Sequence, residues 1–164
     1  MFDNNVIMIT GGTGSFGNSV VNRLLKTDVK EIRVFSRDER KQEQIRITLA
    51  NDKVKFYIGD VRNYNSLAEG MIGVDYIFHA AALKQVPSCE FYPLEAIKTN
   101  ILGSENVMKA AKNNNIKKCV MLSTDKAVYP INSMGMTKAL MEKVMISKLQ
   151  SNIDKKINIC ATRY

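Results

Sequence analysis

The sequence is poor in the residues that mark several protein classes. It has no tryptophan, three prolines and one histidine among 164 residues. Its three cysteines, Cys89, Cys119 and Cys160, are scattered and show no C-x-x-C spacing. This argues against a disulfide framework or a metal site, and Cys119 and Cys160 suit packing inside apolar strands. His79 ends another apolar run, where a structural or cofactor-adjacent role is expected.

Long apolar and long basic runs are also missing. No apolar stretch approaches the roughly 18–20 residues that span a bilayer. The first five residues lack the basic-then-apolar layout of a signal peptide. The net charge of +8 comes from Lys and Arg spread along the chain, without aromatic interleaving. We therefore expect a cytoplasmic protein that binds neither membrane nor nucleic acid, and whose positive potential suits anionic small molecules.

What the sequence does contain is an alternation of apolar runs with helical patterns. Strands are predicted over residues 6–10, 31–36, 54–58, 75–79, 119–122 and 157–161. Helices are predicted over residues 15–26, from an Asp38 cap to 49, and over 65–71, 94–112 and 134–150. In the fourth helix one stripe carries Ile97, Ile101, Ser104, Met108 and Ala111. This alternation predicts one α/β domain over residues 1–164, a Rossmann-type doubly wound parallel sheet with helices on both faces.

A glycine motif follows the first predicted strand. Gly11, Gly14 and Gly17 have G-x-x-G-x-x-G spacing and open a predicted helix. Glycines allow a tight turn and close approach of the backbone to a pyrophosphate, whose charge the helix N-terminus meets. A dinucleotide site is therefore predicted here, with Thr13, Ser15 and Phe16 as further members.

The end of the second predicted strand indicates which dinucleotide is bound. NAD enzymes usually carry an acid there to bind the ribose hydroxyls. This chain instead has Ser36 and Arg37, with Lys41 a turn later. Arg37 can bind a 2′-phosphate through two hydrogen bonds, so NADP is the predicted cofactor. Asp38 is assigned to the helix cap.

Further polar or small residues follow the third, fourth and fifth predicted strands. Because strand ends of a parallel sheet meet at one edge, these residues are expected to contact the same ligand. The predicted cofactor contacts at these positions are Asp60, Val61, Ala80, Ala81, Ala82 and Ser123.

Several segments together resemble a known superfamily. They are G-G-T-G-S-F-G (11–17), S-R-D-E (36–39), G-D-V-R (59–62), H-A-A-A-L-K-Q-V-P (79–87), E-A-I-K-T-N (95–100) and S-T-D-K-A-V-Y-P (123–130). The chain resembles the extended short-chain dehydrogenase/reductases. More narrowly, it is similar to the inverting UDP-N-acetylglucosamine 4,6-dehydratases (5-epimerases) of bacterial capsular polysaccharide synthesis. The resemblance adds Asn100 to the cofactor contacts.

One position departs from the superfamily pattern. A tyrosine usually stands four residues before the lysine that corresponds to Lys138, whereas this chain has Met134 there. With methionine at this position, the chain resembles the capsular-polysaccharide branch of the superfamily. Because Met134 cannot ionise, we expect Asp125 or Lys126 to accept the first proton. A packing role of Met134 alone is the alternative.

The resemblance implies a definite chemistry. Hydride leaves C4 of the sugar for NADP, the C5 proton is removed, water leaves from C6, and hydride returns to C6. Thr124 would hydrogen-bond the oxygen at C4, and Lys138 would bind the nicotinamide ribose. Asp125 and Lys126 would handle the protons at C6 and C5, with Lys126 preferred as the C5 base. Lys84 would contact the UDP-sugar.

Lys126 needs a lowered pKa for this role, which burial or a nearby cation such as Lys138 would provide.

Two other functions remain open. One is a catalytically silent NADP-binding regulatory module, and the other is a sugar-nucleotide 4-epimerase, although such enzymes rely on the missing tyrosine. The chain stops directly after a predicted strand, at Tyr164. We therefore expect the cofactor-binding part of a longer protein, without its substrate domain and inactive alone. The apolar stripes of helices 94–112 and 134–150 suit a homo-oligomer in the full-length protein.

Overall fold

A single parallel sheet forms the centre of the molecule. The computed structural model describes residues 2–151 and 157–164. Six strands lie in the order β3-β2-β1-β4-β5-β6, all parallel. They are β1 (Val6–Thr10), β2 (Glu31–Ser36), β3 (Val54–Ile58), β4 (Tyr76–His79), β5 (Lys118–Leu122) and β6 (Asn158–Thr162). The predicted doubly wound α/β fold is confirmed, with each strand within one residue of its predicted bounds.

Helices connect successive strands. They are α1 (Ser15–Leu24), α2 (Glu39–Leu49), α3 (Tyr64–Gly70), α4 (Val86–Phe91), α5 (Pro93–Ala96), α6 (Gly103–Asn113) and α7 (Ser133–Ser151). A π-helical segment, Ile97–Leu102, joins α5 to α6, and a 3-10 turn, Asp125–Ala127, follows β5. Asp38 caps α2 as predicted, because its carboxylate accepts a hydrogen bond from the Lys41 amide at 3.0 Å. Among the described residues, no helix has the length and apolarity to cross a membrane.

The sheet divides the core into two layers. Successive side chains of a strand point to opposite faces. Met8 of β1 accordingly packs with α3, α6 and α7 on one face, through residues such as Leu67, Val107 and Met141. Ile7 and Ile9 pack with Val21 and Leu24 of α1 on the other. The continuous apolar runs of the strands are thus explained by burial on both faces.

The predicted helix 94–112 is not one regular helix. The π-helical segment adds a residue to the turn, and α4 before it was not predicted. Ile97, placed on the stripe with Ile101, is 38% exposed, whereas Thr99 and Asn100 are buried. The other members of the stripe, from Ile101 onward, are buried, so the stripe changes from exposed to buried within the π-helical segment.

The strand order reverses between β1 and β4. These two strands are neighbours, with Thr10 opposite His79 at their carboxyl ends. The chain leaves β1 towards β2 and β3 on one side, and β5 and β6 lie beyond β4 on the other. Such a reversal opens a crevice at the carboxyl edge of the sheet, which is where doubly wound folds bind ligands.

Candidate functional site

The glycine turn fits tightly between β1, β4 and α1. Gly11 has φ +68°, and a Cβ there would lie 2.7 Å from the Ala81 nitrogen. A Cβ at Gly17 would lie 2.5 Å from Gly12 Cα. Gly14 caps α1 without a side-chain hydrogen bond, and no acidic residue lies in the first turn. The N-terminus of α1 therefore presents amides with no competing carboxylate nearby, the arrangement that binds a phosphate group.

Two adjoining cavities lie along the carboxyl edge. The outer cavity, about 270 Å³, is lined by Gly11, Thr13, Gly14, Phe35, Ser36, Arg37, Asp38, Lys41, Gly59, Asp60, Val61, Ala80, Ala81, Ala82, Lys84 and Thr99. The inner cavity, about 40 Å³, is lined by Gly11, Gly14, Phe16, Gly17, Ala80, Ala82, Lys84, Leu122, Ser123, Thr124, Met134, Lys138 and Tyr164. Lys84 lines both, so it lies where the cavities meet.

The cavities include residues that were not among the predicted site residues. Phe35, Gly59 and Leu122 lie at or next to the ends of strands, so their positions along the chain were a usable signal. Thr99 belongs to the E-A-I-K-T-N segment but was not singled out, and Tyr164 reaches the site through the fold. Four predicted site residues line neither cavity: Ser15, Asn100, Asp125 and Lys126.

Two arginines contact Asp60, one of the two acids that line the outer cavity. Arg62 donates to the Asp60 carboxylate from Nε and Nη2, at 2.8 and 2.6 Å. Arg37 Nη1 lies 3.5 Å from the same carboxylate, and Lys41 Nζ lies 3.3 Å from Asp38. Burial acts to raise the pKa of Asp60, but the hydrogen bonds from Arg62 and the charge of Arg37 outweigh it and lower the pKa. Asp60 is therefore ionised at neutral pH and pairs with both guanidinium groups.

His79 is a buried, neutral member of a hydrogen-bond chain. Burial, aided by the charge of Lys138, lowers its pKa to about 3. The hydroxyl of Ser104 donates to the Asn100 carbonyl at 2.7 Å, so it must accept from His79 Nε2 at 2.9 Å. His79 Nδ1 then accepts from Thr10 Oγ1 at 2.6 Å. The histidine thus joins β4 to β1 and α6, which is a structural role beside the glycine turn.

Asn100 lines neither cavity but holds neighbouring segments of the site together through its side-chain amide. Its side-chain oxygen accepts from the Leu83 amide at 2.8 Å, and its nitrogen donates to the Leu83 carbonyl at 2.9 Å. The same nitrogen donates to Thr137 Oγ1 at 3.0 Å, and that hydroxyl donates to the Met134 carbonyl at 2.9 Å. Asn100 therefore fixes the loop after β4 to the start of α7 rather than lining a cavity.

Lys138 is the buried cation of the inner cavity. Its side chain extends from α7, and Nζ donates to the Leu122 carbonyl at 2.8 Å. Burial lowers the pKa of Lys138 to about 8, although the charge of Glu142 opposes this shift. One turn earlier, Met134 lines the cavity and also packs against Cys89 and Ala96.

Asp125 and Lys126 lie just outside the inner cavity. Thr124 Oγ1 donates to Asp125 Oδ1 at 2.9 Å, and Lys126 Nζ lies 3.3 Å from the same oxygen. Hydrogen bonds from Thr124 and then Lys126 lower the pKa of Asp125. Lys126 is exposed and paired with Asp125, so of the two expected causes of a lowered pKa, burial or a nearby cation, burial is found at Lys138 and not at Lys126.

Metal-ligating side chains do not form a cluster in the part of the chain that the structure describes. Within residues 2–151 and 157–164, no group of three or more His, Cys, Asp or Glu side chains is arranged to hold a metal ion.

Sequence comparison identifies relatives that are longer than this chain and are named UDP-glucose 4-epimerase. The chain is 64% identical over 168 aligned residues to a UDP-glucose 4-epimerase of Rickettsia bellii (strain RML369-C). It is 63% identical over the same length to a UDP-glucose 4-epimerase of Rickettsia prowazekii (strain Madrid E). Each match covers 100% of this chain and 49% of the relative. The chain thus spans about half the length of the curated relatives it matches.

Solved structures share the architecture. Pen from Bacillus thuringiensis is 36% identical with a TM-score of 0.97, covering 100% of this chain and 51% of that one. DesIV, a dTDP-glucose 4,6-dehydratase of Streptomyces venezuelae solved with NAD and TYD, is 21% identical with a TM-score of 0.86, covering 96% of this chain and 55% of that one. At that identity DesIV supports the fold alone. A family model described as "Polysaccharide biosynthesis protein" matches residues 7–164, so the chain belongs to that family.

Proposed function

We propose that residues 1–164 form the NADP-binding domain of an inverting UDP-N-acetylglucosamine 4,6-dehydratase of surface polysaccharide synthesis. The observation that carries this proposal is the hydrogen bond between Thr124 and Asp125 beside the buried Lys138. A dehydration needs proton acceptors and donors next to the hydride transfer, and a module that only binds a nucleotide has no need of them. Membership of a polysaccharide biosynthesis family agrees with this reaction.

The residues of the two cavities suit a nicotinamide dinucleotide. The uncapped N-terminus of α1 would hold the pyrophosphate, and the small Ala80 and Ala82 would allow its close approach. Lys138 would bind the nicotinamide ribose from the inner cavity. The bound cofactor supplies hydride acceptance at C4 and hydride return at C6.

The side chains at the end of β5 would move the protons. Thr124 accepts a hydrogen bond from the C4 hydroxyl and passes its own proton to Asp125, which the existing 2.9 Å hydrogen bond allows. Asp125 can then return that proton to the hydroxyl leaving C6. Lys126, exposed in this chain and paired with Asp125, would take the C5 proton in its neutral amine form, because that proton is acidic once C4 is a ketone. After hydride returns to C6, a solvent-exchangeable proton is delivered to the opposite face of C5, which completes the inversion. This assigns to Asp125 the task that tyrosine performs where Met134 now stands.

A 4-epimerase is the second candidate function. It is favoured by the name UDP-glucose 4-epimerase of relatives at 63–64% identity. An epimerase oxidises and reduces the same carbon, so it leaves the C5 hydrogen in place. A catalytically silent NADP-binding module is the third candidate.

Solvent deuterium at C5 distinguishes these candidates. We would replace the matching half of the Rickettsia bellii relative with this chain and incubate the chimera with UDP-N-acetylglucosamine in deuterium oxide. The expected product has lost water from C6 and carries deuterium at C5, measured by mass spectrometry and NMR. Inversion at C4 without C5 deuterium would establish the epimerase. Tight NADP binding without turnover of either UDP-N-acetylglucosamine or UDP-glucose would establish the silent module.

The choice of NADP over NAD depends on Arg37. Arg37 lines the outer cavity and is half exposed, so its guanidinium can reach a 2′-phosphate. Replacing Arg37 with Ala is expected to weaken NADP binding by about 10–100-fold and to leave NAD binding nearly unchanged, because charge-assisted hydrogen bonds are lost only for the phosphorylated ribose. Fluorescence titration of both cofactors measures this. Arg40→Ala is the matched control, and equal losses for both cofactors would refute the NADP assignment.

A further inference from the structure

Glu142 is an acid of α7 that no motif of the sequence singled out. Its carboxylate is 12% exposed and accepts three hydrogen bonds. Ser123 Oγ donates to Oε1 at 2.5 Å, and Arg163 donates from Nε to Oε1 at 3.0 Å and from Nη2 to Oε2 at 2.6 Å. Ser123 follows β5 and Arg163 follows β6, so one carboxylate ties α7 to the carboxyl ends of two strands.

The same helix face holds Lys138. Residues four apart on a helix are neighbours on its surface, so Lys138 lies one turn before Glu142. Lys138 Nζ donates to the Leu122 carbonyl, whereas Glu142 accepts from the hydroxyl of the next residue, Ser123. The two side chains therefore hold successive residues of one strand end, directly before Thr124.

Within the described residues, the ionisable groups near Lys138 come from several elements, and Lys84 and Tyr164 line the same inner cavity. Glu142 faces Lys138 from α7, and the neutral His79 faces it from β4. Arg163, after the end of β6, pairs with the Glu142 carboxylate.

We propose that Glu142 is a positioning residue of the candidate site, which holds Ser123, and with it Thr124, beside Lys138 and supplies the counter-charge of the buried ammonium. The inference rests on the proposed function for the roles of Thr124 and Lys138. A purely structural role would need only the pair with Arg163. The positioning role additionally requires that removing the carboxylate changes the protonation of Lys138.

The direction of that change is fixed by electrostatics. Burial lowers the pKa of Lys138 to about 8, and Glu142 acts to raise it. Without the negative charge the ammonium loses its stabilising partner, so its pKa falls further. Loss of Arg163 has the opposite effect, because the carboxylate then interacts with Lys138 without competition.

The test titrates Lys138 by NMR in the 164-residue chain. The ¹³Cε signal of Lys138 is assigned by its loss in Lys138→Arg. Glu142→Gln keeps an oxygen that can accept from Ser123 but removes the charge. We expect the Lys138 midpoint to fall by about one pH unit or more and the dissociation constant of NADP at pH 7 to rise several-fold. The matched control is Glu105→Gln, whose acid pairs with Lys148 further along α7 and should change neither quantity.

A second variant keeps the proposal testable if Glu142→Gln does not fold. Arg163→Gln is expected to raise the Lys138 midpoint, and a fall or no change would overturn the proposal. An unchanged midpoint in folded Glu142→Gln that still binds NADP would overturn it as well. If the wild-type chain binds no NADP but the midpoint shifts as expected, the charge coupling stands and the proposed function fails instead.

Discussion

Single residues of the site show a conflict between burial and charge, most clearly at Lys138. Its side chain lies in the interior, where burial lowers the pKa from 10.5 to about 8. One pKa unit corresponds to about 1.4 kcal/mol, so burying the charged form costs the folded chain about 3 kcal/mol at neutral pH. This is a net cost, which already contains the hydrogen bond from Nζ to the Leu122 carbonyl. The buried amine of Lys138 therefore destabilises the folded chain.

Replacing Lys138 with Met should stabilise the chain at pH 7 by about 2 kcal/mol, because about 3 kcal/mol of charge burial is removed while the Leu122 carbonyl loses a donor at a cost of about 1 kcal/mol. The unfolded chain keeps the lysine proton until about pH 10.5, whereas the folded chain releases it near pH 8. The stability of the wild type therefore rises over this interval, and the advantage of the variant shrinks. Urea denaturation at pH 7 and pH 10 measures both values. A variant less stable than the wild type at pH 7 would contradict the burial cost.

Among elements, the turn between β1 and α1 depends most on its small residues. Gly17 belongs to α1 but lies against the backbone of Gly11 and Gly12. The close approach brings the helix N-terminus to the carboxyl edge of the sheet. In an ordinary helix interior, glycine is about 1 kcal/mol worse than alanine, so the fold accepts that loss here for the sake of contact.

Gly17→Ala should accordingly destabilise the chain despite the better helix propensity of alanine. The added Cβ would lie 2.5 Å from a backbone carbon, so the helix must move, at a cost of about 1–3 kcal/mol. NADP binding should weaken by more than tenfold because the first-turn amides move with it. Thermal melts and fluorescence titration report the two effects. Ser19→Ala on the exposed part of α1 is the control, and normal binding in Gly17→Ala would show that the turn is not the pyrophosphate site.

For the whole molecule, the distribution of exposed apolar side chains is informative. Tyr129 and Ile131, in the loop after β5, are 86% and 87% exposed. Leu94 near the π-helical segment and Met136 and Leu140 on α7 are also more than half exposed. Exposed apolar side chains mark an interaction surface where they adjoin one another. We expect the second half of the longer relatives to cover the loop, and a second copy to cover the helices.

Leu140→Asp tests the association of copies through α7. A buried, unpaired carboxylate at the centre of such an interface is costly, so dimers should dissociate at least 100-fold more readily. Sedimentation equilibrium of the chain and of the variant measures this. Asn22→Asp adds the same charge on the exposed face of α1 and should change nothing. A chain that is already monomeric at high concentration would contradict the oligomer hypothesis for this part of the protein.

Much of this architecture could be predicted because its signals are local. Val6–Thr10 is apolar throughout, as a strand buried on both faces must be, and the glycines after it fix the first turn. The expected edge residues Asp60, Ala80 and Ser123 meet there, because parallel strands share one carboxyl edge. The π-helical segment could not be predicted, since its extra residue has no marker in a pattern of helical period.

The sequence by itself determined the fold class, the strand ends and the identity of the side chains that follow them, because periodicity and turn residues act over a few positions. Tertiary structure alone decided the protonation states. Burial makes His79 neutral and lowers the pKa of Lys138. The Glu142 carboxylate on α7 accepts a hydrogen bond from Ser123 after β5, although the two residues are 19 positions apart in the chain. Such effects depend on distance in space and on exclusion of water, and neither is written in the spacing of residues along the chain.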